Sequence, residues 1–333
     1  MTSTATDLDE LTTTFRAALE AGDSATALVA VEASLAEGAD PIQLLTEVVA
    51  PAQRTVGLRW QNGEWSVAAE HAATAVAVAA TEAVARHVRT TVPVEHGHVV
   101  VACAEREWHA LPATMIECAL LANGWKTTPL GASTSPLRLS QYLQDLGPDV
   151  LAVSCSMLGA LPTTRRFIEA AASAGIPTVV GGPAFGPDEV RAKALGATAW
   201  APDAATAVRV LAGLPPVVPP VDPLPAEATS EQAALELAHR QLLTDITAQW
   251  QPPEDLEIAE DAVQQTLHAL WATLLTGDPR PLPDTARWIT DLLVPRRADP
   301  GLVTTLATAT TAVLRDYPRA HELLTTHWPA GPV

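Results

Sequence analysis

Apolar residues recur at three- and four-residue steps from the N-terminus to about residue 90, the signature of amphipathic helices. "LDELTTTFRAALEAG" and "DSATALVAVEASLAEGAD" give the first two, with Asp23 or Ser24 as cap of the second. In "DPIQLLTEVVAPAQRTVGLRW", Asp40 can cap and Pro41 takes the first helical position. A fourth helix is predicted from Val67 to Arg89. Short connections make this a four-helix bundle over residues 1–92. After "TVPVEHGH" the period changes. Short apolar runs, "HVVVACA", "WKTTPL", "DVLAVSCS", "IPTVVGG" and a weaker "ATAWAP", alternate with helical stretches near 112–123, 135–146, 160–174 and 187–195. Such alternation predicts a parallel sheet covered on both faces, a flavodoxin-like, Rossmann-type domain over 97–213. In such sheets ligands bind beyond the carboxyl ends of the strands. "GLPPVVPPVDPLP" places six prolines between 215 and 225, a stiff interdomain linker assigned to 214–228. Helical periodicity returns over 229–330. The fold class is therefore α/β plus all-α.

Composition narrows what these domains can bind. A net charge of -18 argues against a surface for nucleic acid, which needs clustered Lys and Arg, and disfavours an anionic membrane. The most apolar window, 67–85, is broken by Glu70, His71 and Glu82, so no membrane span is expected. With no basic-plus-apolar leader in "MTSTATDLDE", a cytoplasmic location is expected. Three cysteines, Cys103, Cys118 and Cys155, lie in apolar runs without metal spacing and read as buried thiols. Nine Trp stand against three Phe and two Tyr, and a flat indole suits stacking on a large ring system.

The densest chemistry sits in "EREWHALP", where the first strand hands over to a helix. Glu107 can accept a hydrogen bond from one ring nitrogen of His109 and leave the other as a metal ligand. A single histidine is a poor zinc site, but a metal held by a macrocycle needs only an axial ligand. Trp108 could flank such a ring. Ser154 and Ser156 offer hydroxyls at the third strand end, with a small turn after Leu158. At the fourth, Gly181, Gly182 and Pro183 allow close approach to the backbone. On the bundle, Trp60 is followed after nine intervening residues by Glu70 and His71.

Glu-x-His, Ser-x-Leu and Gly-Gly at three successive strand ends resemble the cobalamin-binding fold of methionine synthase-type proteins. The resemblance implies that His109 is the lower cobalt ligand and Glu107 its orienting partner. Ser156 and Leu158 would line the pocket for the nucleotide tail, with Gly181 and Gly182 at its wall. The family pattern Asp-x-His-x-x-Gly reads here Glu107-Trp-His109-Ala-Leu-Pro112, and the proline adds a ring where the tail would approach. The Trp60–Glu70–His71 set is similar to that of CarH-type light-sensing proteins. By that likeness Trp60 caps an adenosyl group, Glu70 contacts it, and His71 binds cobalt after light.

A cobalamin module followed by a globin-like helical tail resembles the photocobilins, which bind adenosylcobalamin and a bilin such as biliverdin. His268, Trp271, Arg287 and Trp288 are then candidate bilin contacts, with Arg296 and Arg297 available to a propionate. No cysteine lies in the tail, so non-covalent attachment is expected. The resemblance implies a photoreceptor rather than an enzyme, acting through a homo-oligomer or a light-dependent partner protein. A corrinoid methyl carrier or mutase component, and a haem-binding tail, are the alternatives.

Overall fold

The computed structural model describes residues 3–215 and 217–331. The N-terminal helices are α1 (Ser3–Ala21), α2 (Ser24–Ala36), α3 (Pro41–Gln43), α4 (Ala50–Gln61) and α5 (Val67–Thr91). Asp23, Asp40 and Ser66 accept backbone N–H bonds at the starts of α2, α3 and α5, satisfying donors that have no partner inside the helix. The third predicted helix differs from expectation: Leu44–Val49 winds as a π-helix between α3 and α4. Pro51 lacks an N–H, and Ala50 bonds back five residues to Leu45. The wider register accommodates the proline without ending the helix. Phe15, Val49, Val76 and Val84 close the bundle core.

The central domain comprises β1 (His98–Cys103), α6 (Ala110–Ala122), β2 (Lys126–Pro129), α7 (Pro136–Leu146), β3 (Val150–Ser154), α8 (Leu161–Ser173), β4 (Thr178–Gly181), α9 (Val190–Ala194), β5 (Ala199–Trp200) and α10 (Ala204–Leu211). All strand pairs are parallel, in the order β2-β1-β3-β4-β5. Helices cover both faces, so β1 and β3 read as continuous apolar runs instead of alternating. The order reverses between β1 and β3, which opens a crevice at their carboxyl ends. The bundle packs on this domain through α5 and α6. Leu111 and Cys118 enter the bundle core, and Arg89 pairs at 2.7 Å with the buried Glu117.

The tail is wholly helical: α11 (Ala226–Leu237), α12 (His239–Trp250), α13 (Ala259–Thr276), α14 (Pro281–Leu293), α15 (Leu302–Val313) and α16 (Pro318–His327). Its first helix starts inside the span read as linker. The proline segment itself is pinned rather than loose. Val221 and Leu224 pack on the sheet-domain core, and the buried Arg165 donates to the Asp222 and Leu195 carbonyls. A buried ion network then fastens the tail to α9. Arg191 and Arg280 both donate to Asp278 at 2.8 Å, and Arg280 also reaches Asp188.

Candidate functional site

Beyond Cys103 the chain turns sharply, and Arg106 adopts a left-handed backbone with φ of 74°. That turn carries Glu107 into the crevice, where it is fully buried. Its carboxylate accepts four N–H bonds: from His109 Nδ1 at 2.7 Å, from the His109 backbone at 2.8 Å, and from the Ser156 and Met157 backbones. Pairing of Cys103 with Ser154 brings the β3 end within reach. One carboxylate thus ties the β1 loop to the β3 loop and aims the histidine. Burial works to raise the Glu107 carboxyl, but hydrogen bonds from the His109 ring and the backbone outweigh it and hold it below the usual carboxylate range. The His109 imidazole is raised in turn, chiefly by Glu107, against burial, with Glu70 adding to the shift. Because Nδ1–H donates to Glu107, the Nε2 lone pair is left for a ligand, and the side chain is 58% exposed.

Beside this loop a cavity of about 360 Å³ lies between α6, the β3 and β4 ends, α10 and the bundle. Pro112, Ser154, Gly181, Gly182 and Pro183 line it, with Leu45 and Ala50 closing the bundle side. The volume falls within the roughly 300–1,000 Å³ typical of small-molecule pockets. Pro112, at the third position of α6, forms one wall; the N–H it lacks is one that a helix start leaves unpaired anyway. The two glycines are required by the chain itself. A Cβ on Gly181 would lie 2.3 Å from the Ala201 carbonyl oxygen, and one on Gly182 2.4 Å from that of Cys155.

Several expected residues sit elsewhere. Ser156 is tied to Glu107 and does not line the cavity. Leu158 likewise misses it, because the chain coils into a 3-10 turn, Leu158–Ala160, that packs on α13. Trp108 is 73% exposed at the rim, next to His109. Glu70 accepts from Thr74 at 2.8 Å, and Gln53 donates to Thr74, which anchors the start of α5 to α4. His71 is largely exposed. Trp60 turns toward the tail: its ring lies 6.5 Å from that of Trp288 at an interplanar angle of 30°.

His268 and Trp271 are buried at the tail–sheet boundary, where they form a cluster with His239, with ring centroids 4.9–5.5 Å apart. His239 Nδ1, His268 Nδ1 and Trp271 Nε1 have no hydrogen-bond partner. Arg106 stacks over Trp271 at 5.4 Å and pairs with Glu236 at 2.9 Å. Arg287 does not join this group; it points to solvent and pairs with Asp284. Arg296 is already committed to the bundle carbonyls of Trp60 and Gln61, while Arg297 lines a cleft beside Trp60. Periodicity singled out neither Arg106 nor the Arg191–Asp278–Arg280 network. A lone arginine before Glu107 carries no local signal, and the network joins positions 87 apart.

Burial drives the His268 imidazole down to about 3, helped by His239 and Arg106. The unfolded ring titrates near ~6.5. A neutral buried imidazole therefore stabilises the docked tail above that value and loses its contribution as pH falls toward 3. Burial would raise Asp278, but bonds from Arg280 and Arg191 more than offset it; Arg280 holds Asp188 down to about 2. These carboxylates contribute above roughly pH 4, and that contribution fades as pH falls toward 2. Small-angle scattering is expected to show tail undocking that begins below about pH 6.5 and steepens below about pH 4. A profile unchanged down to pH 3 would contradict this.

The donor set suits a macrocycle-held metal: one aimed imidazole beside a deep apolar cavity. No group of three or more His, Cys, Asp or Glu among the described residues could hold a bare ion. All three cysteines are buried, and burial pushes the Cys103 and Cys118 thiols up to about 12. No helix of the described residues is long and apolar enough to cross a membrane.

Residues 97–211 match a family described as B12 binding domain, and residues 11–84 match a second family of the same description. No curated protein matches the chain. Among solved structures, the monomethylamine corrinoid protein of Methanosarcina barkeri is similar at a TM-score of 0.52 and 18% identity, over 61% of this chain and 97% of that one. The methanol:cobalamin methyltransferase complex MtaBC of the same organism aligns at 0.33 and 22%, over 62% and 81%. A cobalamin-binding protein from Desulfitobacterium hafniense DCB-2 aligns at 0.34 and 19%, over 61% and 97%. The first of these shares the fold, and more than a third of this chain has no counterpart in it. With His109 aimed from the β1 end and both B12 binding domain matches in place, the chain is a cobalamin-binding protein.

Proposed function

We propose that the protein is a light sensor that binds adenosylcobalamin over His109 and holds a bilin such as biliverdin, non-covalently, in a globin-like tail. When bound, adenosylcobalamin supplies a cobalt–carbon bond that visible light breaks. Glu107 would keep the His109 ring in one tautomer for the cobalt, and the cavity walled by Pro112, Ser154 and Gly182 would hold the nucleotide tail. Glu70, close enough to His109 to raise its imidazole, and His71 would face the cofactor from the bundle, with His71 available as a cobalt ligand once that bond is broken. Loss of the packing around Trp60 is the differential interaction that shifts the bundle. The output is a change in self-association or in contact with a partner protein.

The observation that carries this proposal is the placement of Trp60 and Leu158 against the tail's own core. A methyl carrier must open its upper face to successive protein partners. Here a third domain is fastened to both the bundle and the sheet domain. A second reading, a corrinoid methyl carrier, is favoured by the fold likeness to the monomethylamine corrinoid protein. The test is reconstitution of the full chain with adenosylcobalamin and biliverdin in the dark, followed by illumination. A light-driven spectral change with a shifted elution volume is expected, together with red-region absorbance from the bilin. A spectrum of the adenosylcobalamin complex indifferent to light would sink the sensor reading and favour the carrier.

A further inference from the structure

The C-terminal end of α4 has a partner in the tail, far along the chain. Arg296 Nη1 donates to the Gln61 carbonyl at 2.7 Å and Nη2 to that of Trp60 at 2.9 Å, while a third bond returns to Leu292 in α14. The last carbonyls of a helix lack a donor within it; that of Trp60 also accepts from the Gly63 N–H, and the guanidinium supplies the donor for Gln61 while complementing the helix dipole. The same guanidinium lies 5.9 Å from the Trp60 ring centroid, and Trp288 stacks on that ring from the tail side. Gly63, at φ of 67°, lets the loop fold back so that the Arg296 stem passes beside it. Trp60 is thus held on its backbone and its ring by two tail residues, one on α14 and one just past its end.

We propose that Arg296 and Trp288 are positioning residues that set Trp60 from the tail domain, so that a rearrangement of the tail changes the cap on the cobalamin's upper face. The functional half rests on the cap role given to Trp60 above; the clamp itself rests on the contacts. Arg106, gripped by Glu236 and Trp271, ties the lower-ligand loop to the same domain. The tail therefore holds one loop on each side of the cofactor.

The test is amide hydrogen exchange at residues 62–65, whose N–H groups bond to the last turn of α4, in the cofactor-free full chain. Arg296→Ala is expected to speed exchange there about tenfold, equivalent to about 1.4 kcal/mol, with β3 amides unchanged. Arg296→Lys, which keeps the charge and can reach one carbonyl, should recover part of the protection. If Arg296→Ala does not fold, Trp288→Leu removes the ring contact alone and is read in the same way. Loaded with adenosylcobalamin, Arg296→Ala should also change the rate of light conversion several-fold while the dark spectrum stays that of wild type. Exchange at the wild-type rate overturns the clamp; faster exchange with an unaltered light response overturns its functional role. Exchange is read without cofactor, so a wild type that ignores light would remove the sensor reading and leave the clamp result standing.

Discussion

Glu107→Ala is expected to cost roughly 2–5 kcal/mol of stability, since it leaves two buried backbone N–H donors unsatisfied at about 1–3 kcal/mol each. The carboxylate is fully buried and accepts four N–H donors from two loops. Without it, the Ser156 and Met157 amides lose their acceptor in a place where little water enters, and the His109 ring loses its tautomer lock. Glu107→Gln keeps the volume but presents an NH2 group to donors, so it should lose nearly as much. Cobalamin affinity should fall with stability, by about 10–100-fold for the orienting partner of a metal-bound histidine. Chemical denaturation of both variants and equilibrium titration with cobalamin measure the two effects. A loss below about 1 kcal/mol, the value of an ordinary exposed pair, would mean that the loops are held by something else.

Gly182→Ala should be the most damaging small substitution in the sheet domain. Its φ of 105° is one that L side chains rarely adopt, and the added Cβ would meet the Cys155 oxygen at 2.4 Å and its carbonyl carbon at 2.9 Å. Both contacts are to backbone, so relief requires the β3 loop to move away from the β4 end. Backbone strain of this kind costs on the order of 1–3 kcal/mol before any clash is counted. We expect a total above about 4 kcal/mol, with collapse of the cavity wall, and the protein recovered largely unfolded. Gly131→Ala is the control, since its φ of 73° carries strain but nothing lies within 4 Å of the added carbon. Equal losses for the two variants would show that the close approach at Gly182 is not what the glycine serves.

Much of this architecture can be read locally. β1, β3 and β4 are short and apolar because helices bury both faces, and Asp40, Ser66 and Asp203 mark helix starts through their own side chains. The Glu107–His109 pair is legible because its members are two residues apart on a strand end. What periodicity does not reveal is contact between distant segments. Arg296 meets Trp60 across 236 positions, and Arg191 meets Asp278 across 87. An arginine bound to carbonyls looks in sequence like one waiting for a propionate. The divergence of Ser156 and Leu158 from the cavity has the same origin: the turn after β3 is directed by packing on α13, which no local pattern encodes. The π-helix at 44–49 is hidden for a different reason, since apolar periodicity carries one helix through Pro51 and does not register the wider turn before it.

The fastened tail also changes the meaning of the linker. A proline segment that packs on the sheet and is bonded through Arg165 cannot act as a swinging tether. Besides its ion network with α9, the tail meets the rest of the chain at Trp60, Leu158 and Arg106. Those three lie on the bundle, the β3 turn and the β1 loop that carries His109.

The central claim is that His109 is the cobalt's lower ligand. Electron paramagnetic resonance of the protein loaded with cobalt(II) cobalamin tests it directly, using protein grown with histidine carrying the heavy nitrogen isotope. Axial coordination by His109 predicts three-line nitrogen splitting in unlabelled protein and two-line splitting in labelled protein, with the labelled pattern absent in His109→Ala. Splitting that ignores the label would show that the cofactor's own base still holds the cobalt, and would contradict the assignment.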